Sequence, residues 1–212
     1  LKELVAATQV AVGNFDQASA KYAELNALYP DRFDWGLENA RTLLRAGRSQ
    51  DAVLALRKLI SQHPEIQSAY TMLAFVQVDQ KQLQDALLTA EMLANKPKLR
   101  TAGLLLRGDI HARAQDKAEA IKAYDEAAKA GAAEEALMRK VQLYDRVGGA
   151  GSESVELNDW LTSHPDSLPV LAFAARRATL NGDYQAAIRY LEKVVKLSPR
   201  DAVAINELAW TY

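Results

Sequence analysis

Gly182-Asp183-Tyr184-Gln185-Ala186-Ala187-Ile188-Arg189-Tyr190-Leu191-Glu192-Lys193-Val194-Val195-Lys196-Leu197-Ser198-Pro199 reads as a turn, one amphipathic helix and a stop. Gly182 ends the preceding helix, and Asp183 caps the next by accepting a backbone N–H bond. Ala187, Leu191, Val194 and Val195 recur at spacings of three and four, which puts them on one helical face. Pro199 lacks the N–H that a continuing helix needs.

The same block returns along the chain at a step of 33 or 34 residues. Ala187 has counterparts at Ala18, Ala52, Ala86 and Ala120, with Glu153 in the fifth block. Four places later stand Tyr22, Leu56, Tyr124, Leu157 and Leu191, with the small Ala90 as the exception. The turn glycine recurs as Gly13, Gly47, Gly148 and Gly182, replaced by Lys81 and Gln115 in the middle. Pro30, Pro64, Pro165 and Pro199 close four blocks, and Pro97 sits one residue early. A fixed period of this length marks stacked helical hairpins, in which neighbours bury the face that one hairpin alone leaves open.

The reading is six hairpins plus one extra helix over Ala202 to Tyr212. Helices are expected at Leu1 to Val12, Phe33 to Ala46, Ser49 to Gln62, Gln67 to Val78, Leu83 to Ala94, Thr101 to Ala114, Ala118 to Ala130 and Ala133 to Val147, with another from near Glu153. Asn14 is expected to cap the second helix with Gln17 as its capping-box partner. Gly148-Gly149-Ala150-Gly151 marks a softer joint, because three glycines cost backbone entropy that alanines do not. Because the chain starts and stops inside helices, it is expected to be a piece of a longer array.

These motifs resemble the tetratricopeptide-repeat family, whose signature stands here as G-D-Y-x-x-A-I-x-x-L-x-x-V from Gly182. The resemblance covers essentially the whole chain and implies one all-α, right-handed superhelical solenoid over residues 1–212, with first helices lining a concave face. Asp159-Trp160-Leu161-x-x-His164-Pro165-Asp166 and Asn206-Glu207-Leu208-Ala209-Trp210 further resemble the tetratricopeptide lipoproteins of PEP-CTERM/exosortase systems. That likeness implies an envelope location in bacteria, periplasmic or outer-membrane-anchored, and a part in exopolysaccharide export or protein sorting; without it, a cytoplasmic location is equally open.

Composition narrows the chemistry. A net charge of −1 provides no global field for nucleic acid or an anionic membrane, and no run of 18 apolar residues spans a bilayer. Cysteine is absent, so disulfides, thiol catalysis and thiolate metal sites fall away together. His63, His111 and His164 lack a second ligand at useful spacing, and no phosphate-binding glycine loop or nucleophile elbow occurs. The glycines are expected in turns. No enzyme, cofactor or metal is expected.

Cations divide by helix. First helices carry Arg41, Arg45, Arg107, Arg113, Arg139, Arg146, Arg176 and Arg177 against Lys2 and Lys140. Second helices carry Lys21, Lys58, Lys122, Lys129, Lys193 and Lys196 against Arg57 and Arg189. A planar guanidinium suits carboxylates, whereas lysine suits a solvated outer face. The expected groove therefore uses Arg41, Arg45, Arg113, Arg139 and Arg176 to orient acidic groups. Phe75, Leu105, Met138 and Phe173, with Leu37 and Met72, would bury apolar side chains of a protein or peptide segment. The competing reading pairs the arginines with Asp34, Glu38, Asp109, Glu135 and Asp145. Most tyrosines (Tyr22, Tyr124, Tyr144, Tyr184 and Tyr190) and Trp160 are expected in the core. The lysine-and-asparagine carboxylate clamp of chaperone-binding family members is absent, since the matching positions are Leu37, Thr71, Leu105, Met138, Ala172 and Asn206. Direct binding of acidic polysaccharide and a self-associating spacer are the alternatives.

Overall fold

Glycine or its substitute sets the turn within five hairpins of the described residues. In the computed structural model, Gly13, Gly47, Lys81, Gln115 and Gly182 all adopt positive φ, between 63° and 81°. The residue after each donates its N–H to the carbonyl five back: Asn14 to Gln9 and Gln82 to Gln77 at 2.8 Å, Arg48 to Leu43, Asp116 to His111 and Asp183 to Ala178 at 2.9 Å. This closure satisfies a carbonyl that the helix end leaves open. Lys81 and Gln115 pay the Cβ strain that the glycines avoid.

The structure describes residues 2–146 and 152–212. Among them the hairpins are α1 (Lys2–Ala11) with α2 (Phe15–Leu28), α3 (Phe33–Arg45) with α4 (Ser49–Gln62) and α5 (Gln67–Asp79) with α6 (Leu83–Ala94). They continue as α7 (Arg100–Arg113) with α8 (Lys117–Lys129), α9 (Ala133–Arg146) with α10 (Ser152–Ser163) and α11 (Leu168–Leu180) with α12 (Tyr184–Leu197). A last helix, α13, spans Ala202–Thr211, and no strand occurs among the described residues. The sequence reading missed a 3-10 turn at Pro97–Leu99, which accommodates the early proline. The expected joint at 148–151 and the side chain of Glu153 lie outside the described residues.

Two compact units emerge, residues 1–123 and 124–212. Within the first, α5 packs against α7 as well as against its own partner α6, and within the second α9 packs against α11. First helix against first helix is the packing that a stack of hairpins requires.

The periodic small residues sit where the packing is closest. Ala18, Ala52, Ala86, Ala120 and Ala187 are all 0% exposed. The residues four places on are buried too, including the small Ala90. In the first unit Leu56, Leu59, Tyr70, Leu93 and Ile110 join one core cluster. In the second, Leu137, Val141, Leu157 and Val170 do the same.

Three glycines correct the expectation that glycine serves turns alone. Gly36 in α3 and Gly103 and Gly108 in α7 lie inside helices and are buried. A Cβ on Gly103 would lie 2.3 Å from the backbone nitrogen of Ala94, at the end of α6. The helices approach so closely that only hydrogen fits. Asn14 is a second correction: its side chain makes no cap bond and instead donates to Gln9 Oε1 at 2.8 Å. Asp183 caps as expected, accepting from the Ala186 N–H at 3.0 Å.

Gly103→Ala is expected to destabilise the chain by about 2 kcal/mol through overpacking against α6. Lys81→Gly should instead stabilise it by about 1 kcal/mol by removing left-handed strain. Urea denaturation midpoints, read with an unchanged slope, check both.

Candidate functional site

Two of the first-helix arginines expected to face a ligand, Arg41 and Arg113, meet acids within the fold, and so does Arg177, which was not among those expected in the groove. Arg41 pairs with Glu38 one turn earlier. Arg113 grips Asp79 with two bonds, Nε to Oδ1 at 2.7 Å and Nη2 to Oδ2 at 2.8 Å. Arg177 holds Asp145 through Nη2 at 2.8 Å, with its side chain only 17% exposed. Asp145 and Glu38 are partners the competing sequence reading named. Asp79 was missed, although its distance of 34 residues from Arg113 is the repeat period and signalled the pair. The Arg113 guanidinium beside Asp79 holds that carboxyl below its ordinary value, and the pairing raises Arg113 in turn.

Beside Arg41 the first unit builds a shallow pocket of about 590 Å³ between α3 and α5. Arg41, Met72, Phe75 and Thr71 are among its lining residues. The Arg113 guanidinium lies 5.2 Å from the centre of the Phe75 ring, so Phe75 carries Arg41 on its pocket side and a cation over its face. Arg45 stands apart, over the ring of Phe15 at 4.5 Å. Leu105 is 7% exposed and offers little surface.

In the second unit, Phe173 packs on the cluster of Leu137, Val141 and Val170, and Met138 and Arg139 are half-buried. Arg176 is exposed and lines a pocket of about 260 Å³ with Tyr184, Asn206 and Trp210. Tyr184 overturns its core assignment, being 56% exposed, because it is the first residue of α12 and sits before that helix turns inward. Tyr22 and Tyr124 are buried as expected. Trp160 packs with Leu161 against the cluster and stacks on His164 at 4.1 Å. His63 takes the equivalent slot differently, placing Nε2 2.7 Å from the Pro30 carbonyl oxygen.

Lys140, one of the two lysines counted on first helices, makes a bridge whose partners the sequence reading did not name. Its side chain is 13% exposed and donates to Asp125 Oδ1 at 2.9 Å and to Glu156. Burial disfavours its charge, but the two carboxylates outweigh that and raise its pKa. No cluster of three metal-ligating side chains occurs among the described residues, and no described helix is long and apolar enough to cross a membrane.

A repetitive all-α fold whose notable groups are shallow, arginine-edged apolar surfaces defines an interaction scaffold. The tetratricopeptide-repeat profiles match residues 37–100, 94–136 and 178–201, more than half of the chain, and the chain belongs to that family. Tetratricopeptide domains bind protein or peptide partners. No curated protein matches in sequence. Among solved structures, a tetratricopeptide-repeat protein from Parabacteroides merdae is similar over 99% of this chain and 82% of its own, with 11% identity and a TM-score of 0.54. The Pseudomonas aeruginosa protein pilF covers 100% of this chain and 96% of its own at 13% identity and a TM-score of 0.51. PilW, a type IV pilus biogenesis factor, is similar at 15% identity and a TM-score of 0.50, over 99% and 96% of the two chains. At such identities the likeness is one of fold.

Replacing Lys140 with Met is expected to cost about 1 kcal/mol at neutral pH, a modest sum because both carboxylates remain partly solvated. The bridge's contribution is complete below the ordinary lysine value of 10.5 and fades as pH rises through the higher folded value. Urea melts across the alkaline range should show that fading in the natural chain and not in Lys140→Met.

Proposed function

We propose that the chain is a non-enzymatic scaffold whose first-helix surface binds a protein segment with an apolar side chain next to acidic groups. The pocket of Arg41, Met72 and Phe75 supports this reading most directly, since Arg41 lines it together with an aromatic ring that carries the Arg113 guanidinium. An apolar side chain on Phe75 would lose water, and a neighbouring carboxylate would meet the forked donors of Arg41 or Arg113. Within the second unit, Met138, Arg139, Phe173 and Arg176 would offer a comparable surface. Arg41 and Arg113 already hold acids, so a ligand carboxylate would exchange with Glu38 or Asp79 rather than neutralise an open charge. That exchange favours specificity over raw affinity.

A bacterial envelope assembly, connected with exopolysaccharide export or protein sorting, is the setting suggested by the Trp160 and Trp210 motifs. One observation favours a second reading, direct binding of acidic polysaccharide. Trp210 is 84% exposed and shares its pocket with Tyr184 and Arg176, a pairing of stacking rings and cation that suits a uronate sugar.

Titration with acidic peptides and with uronate oligosaccharides separates the two. Arg41→Glu, Arg113→Glu and Arg176→Glu combined should weaken peptide binding by at least about tenfold, with the thermal midpoint followed as a control. If every interaction survives in a folded triple variant, the arginine surface is not the site.

A further inference from the structure

A second pocket, of about 500 Å³, opens on the other side of the first unit, between α4 and α6 with α5 beneath. It shares no residue with the arginine surface. Its mouth is apolar, with Leu88 58% and Met92 55% exposed. Its depth is closed by Tyr70, Leu73, Gln77 and Thr89, all buried. Exposed leucine and methionine over a polar floor is an arrangement that simple core packing does not call for.

The floor is chemically unfinished. Gln77 is 2% exposed, and its amide meets the Thr89 hydroxyl at 2.8 Å. That hydroxyl also lies 3.0 Å from the Asp85 carbonyl oxygen, one turn back on α6. A hydroxyl has one proton, so it donates either to Asp85, taking an N–H from Gln77, or to the Gln77 oxygen. In both arrangements one end of the Gln77 amide keeps no partner among the described residues, and Gln77 lines the pocket. That amide end is reached from the pocket, where a ligand hydroxyl, both donor and acceptor, can meet it whichever end is presented.

The rim is charged unevenly. Arg57 on α4 and Lys96 just past α6 line the mouth and form no ion pair among the described residues. Asp85, the acid on the rim, lies in the first turn of α6, so helical rise separates it from Lys96 by about 16 Å. One end of the mouth therefore favours an anion.

We propose that this pocket binds a small hydroxyaryl carboxylate. Its phenol would meet Gln77, its ring would lie among Leu73, Leu88 and Met92, and its carboxylate would face Arg57 and Lys96. The volume falls within the range of small-molecule sites, which join apolar walls to a few placed polar groups.

Titration of the 15N-labelled chain with 3-(4-hydroxyphenyl)propionate should shift resonances of α4 to α6 saturably. The ring-only 3-phenylpropionate and the amide 3-(4-hydroxyphenyl)propionamide should each bind at least about tenfold more weakly. Gln77→Leu should abolish the preference for the hydroxyl. Leu88→Glu, at an exposed position, should abolish binding while the thermal midpoint stays put. The proposal is overturned if no saturable shift appears at millimolar probe, if the phenyl acid binds as well as the phenol, or if Leu88→Glu binds normally. A peptide ending in tyrosine that binds tenfold more tightly than the small acid would also overturn it, assigning the pocket to protein C-termini. None of these results bears on the arginine surface.

Discussion

Everything in this fold depends on how closely two helices can approach at one point in each repeat. The alanines at 34-residue steps are wholly buried, and Gly103 passes the backbone of Ala94 with no room for a carbon. Helices held that near bring their larger neighbours into register, so Leu56, Leu93 and Ile110 join one buried cluster. A repeat protein has no central core to absorb an error at such a crossing. Each contact is answerable to the next hairpin alone.

That dependence explains which features were legible in the sequence. Ala18, Ala52 and Ala86 carry a constraint of size, and size is written directly in residue identity. Turns were legible at Lys81 and Gln115 as well, because their place in the period outweighed their poor suitability for left-handed backbone. The Pro97 turn and the buried glycines of α3 and α7 were not, since a glycine within a helix looks the same whether it weakens the helix or admits a neighbour.

The candidate surface was legible only in outline. Counting arginines by helix grouped them on first helices but could not say whom each guanidinium would meet. Arg113 and Asp79 are 34 residues apart, and only the stacking of one repeat on the next brings them to 2.7 Å. Leu105 reads as a groove residue by position, yet its neighbours cover it. Gln77 gave no signal at all, because a buried amide is recognisable only once Thr89 and the space beside it are in view.

The Asp79–Arg113 link spans one period, so it reports on the pitch of the stack locally. Bending that separates the α5 and α7 ends would loosen the fork and free the guanidinium from over Phe75. Mechanical deformation of the array and the chemistry offered by this ring would then be coupled, with stretching and unloading presenting two different faces to the same guest.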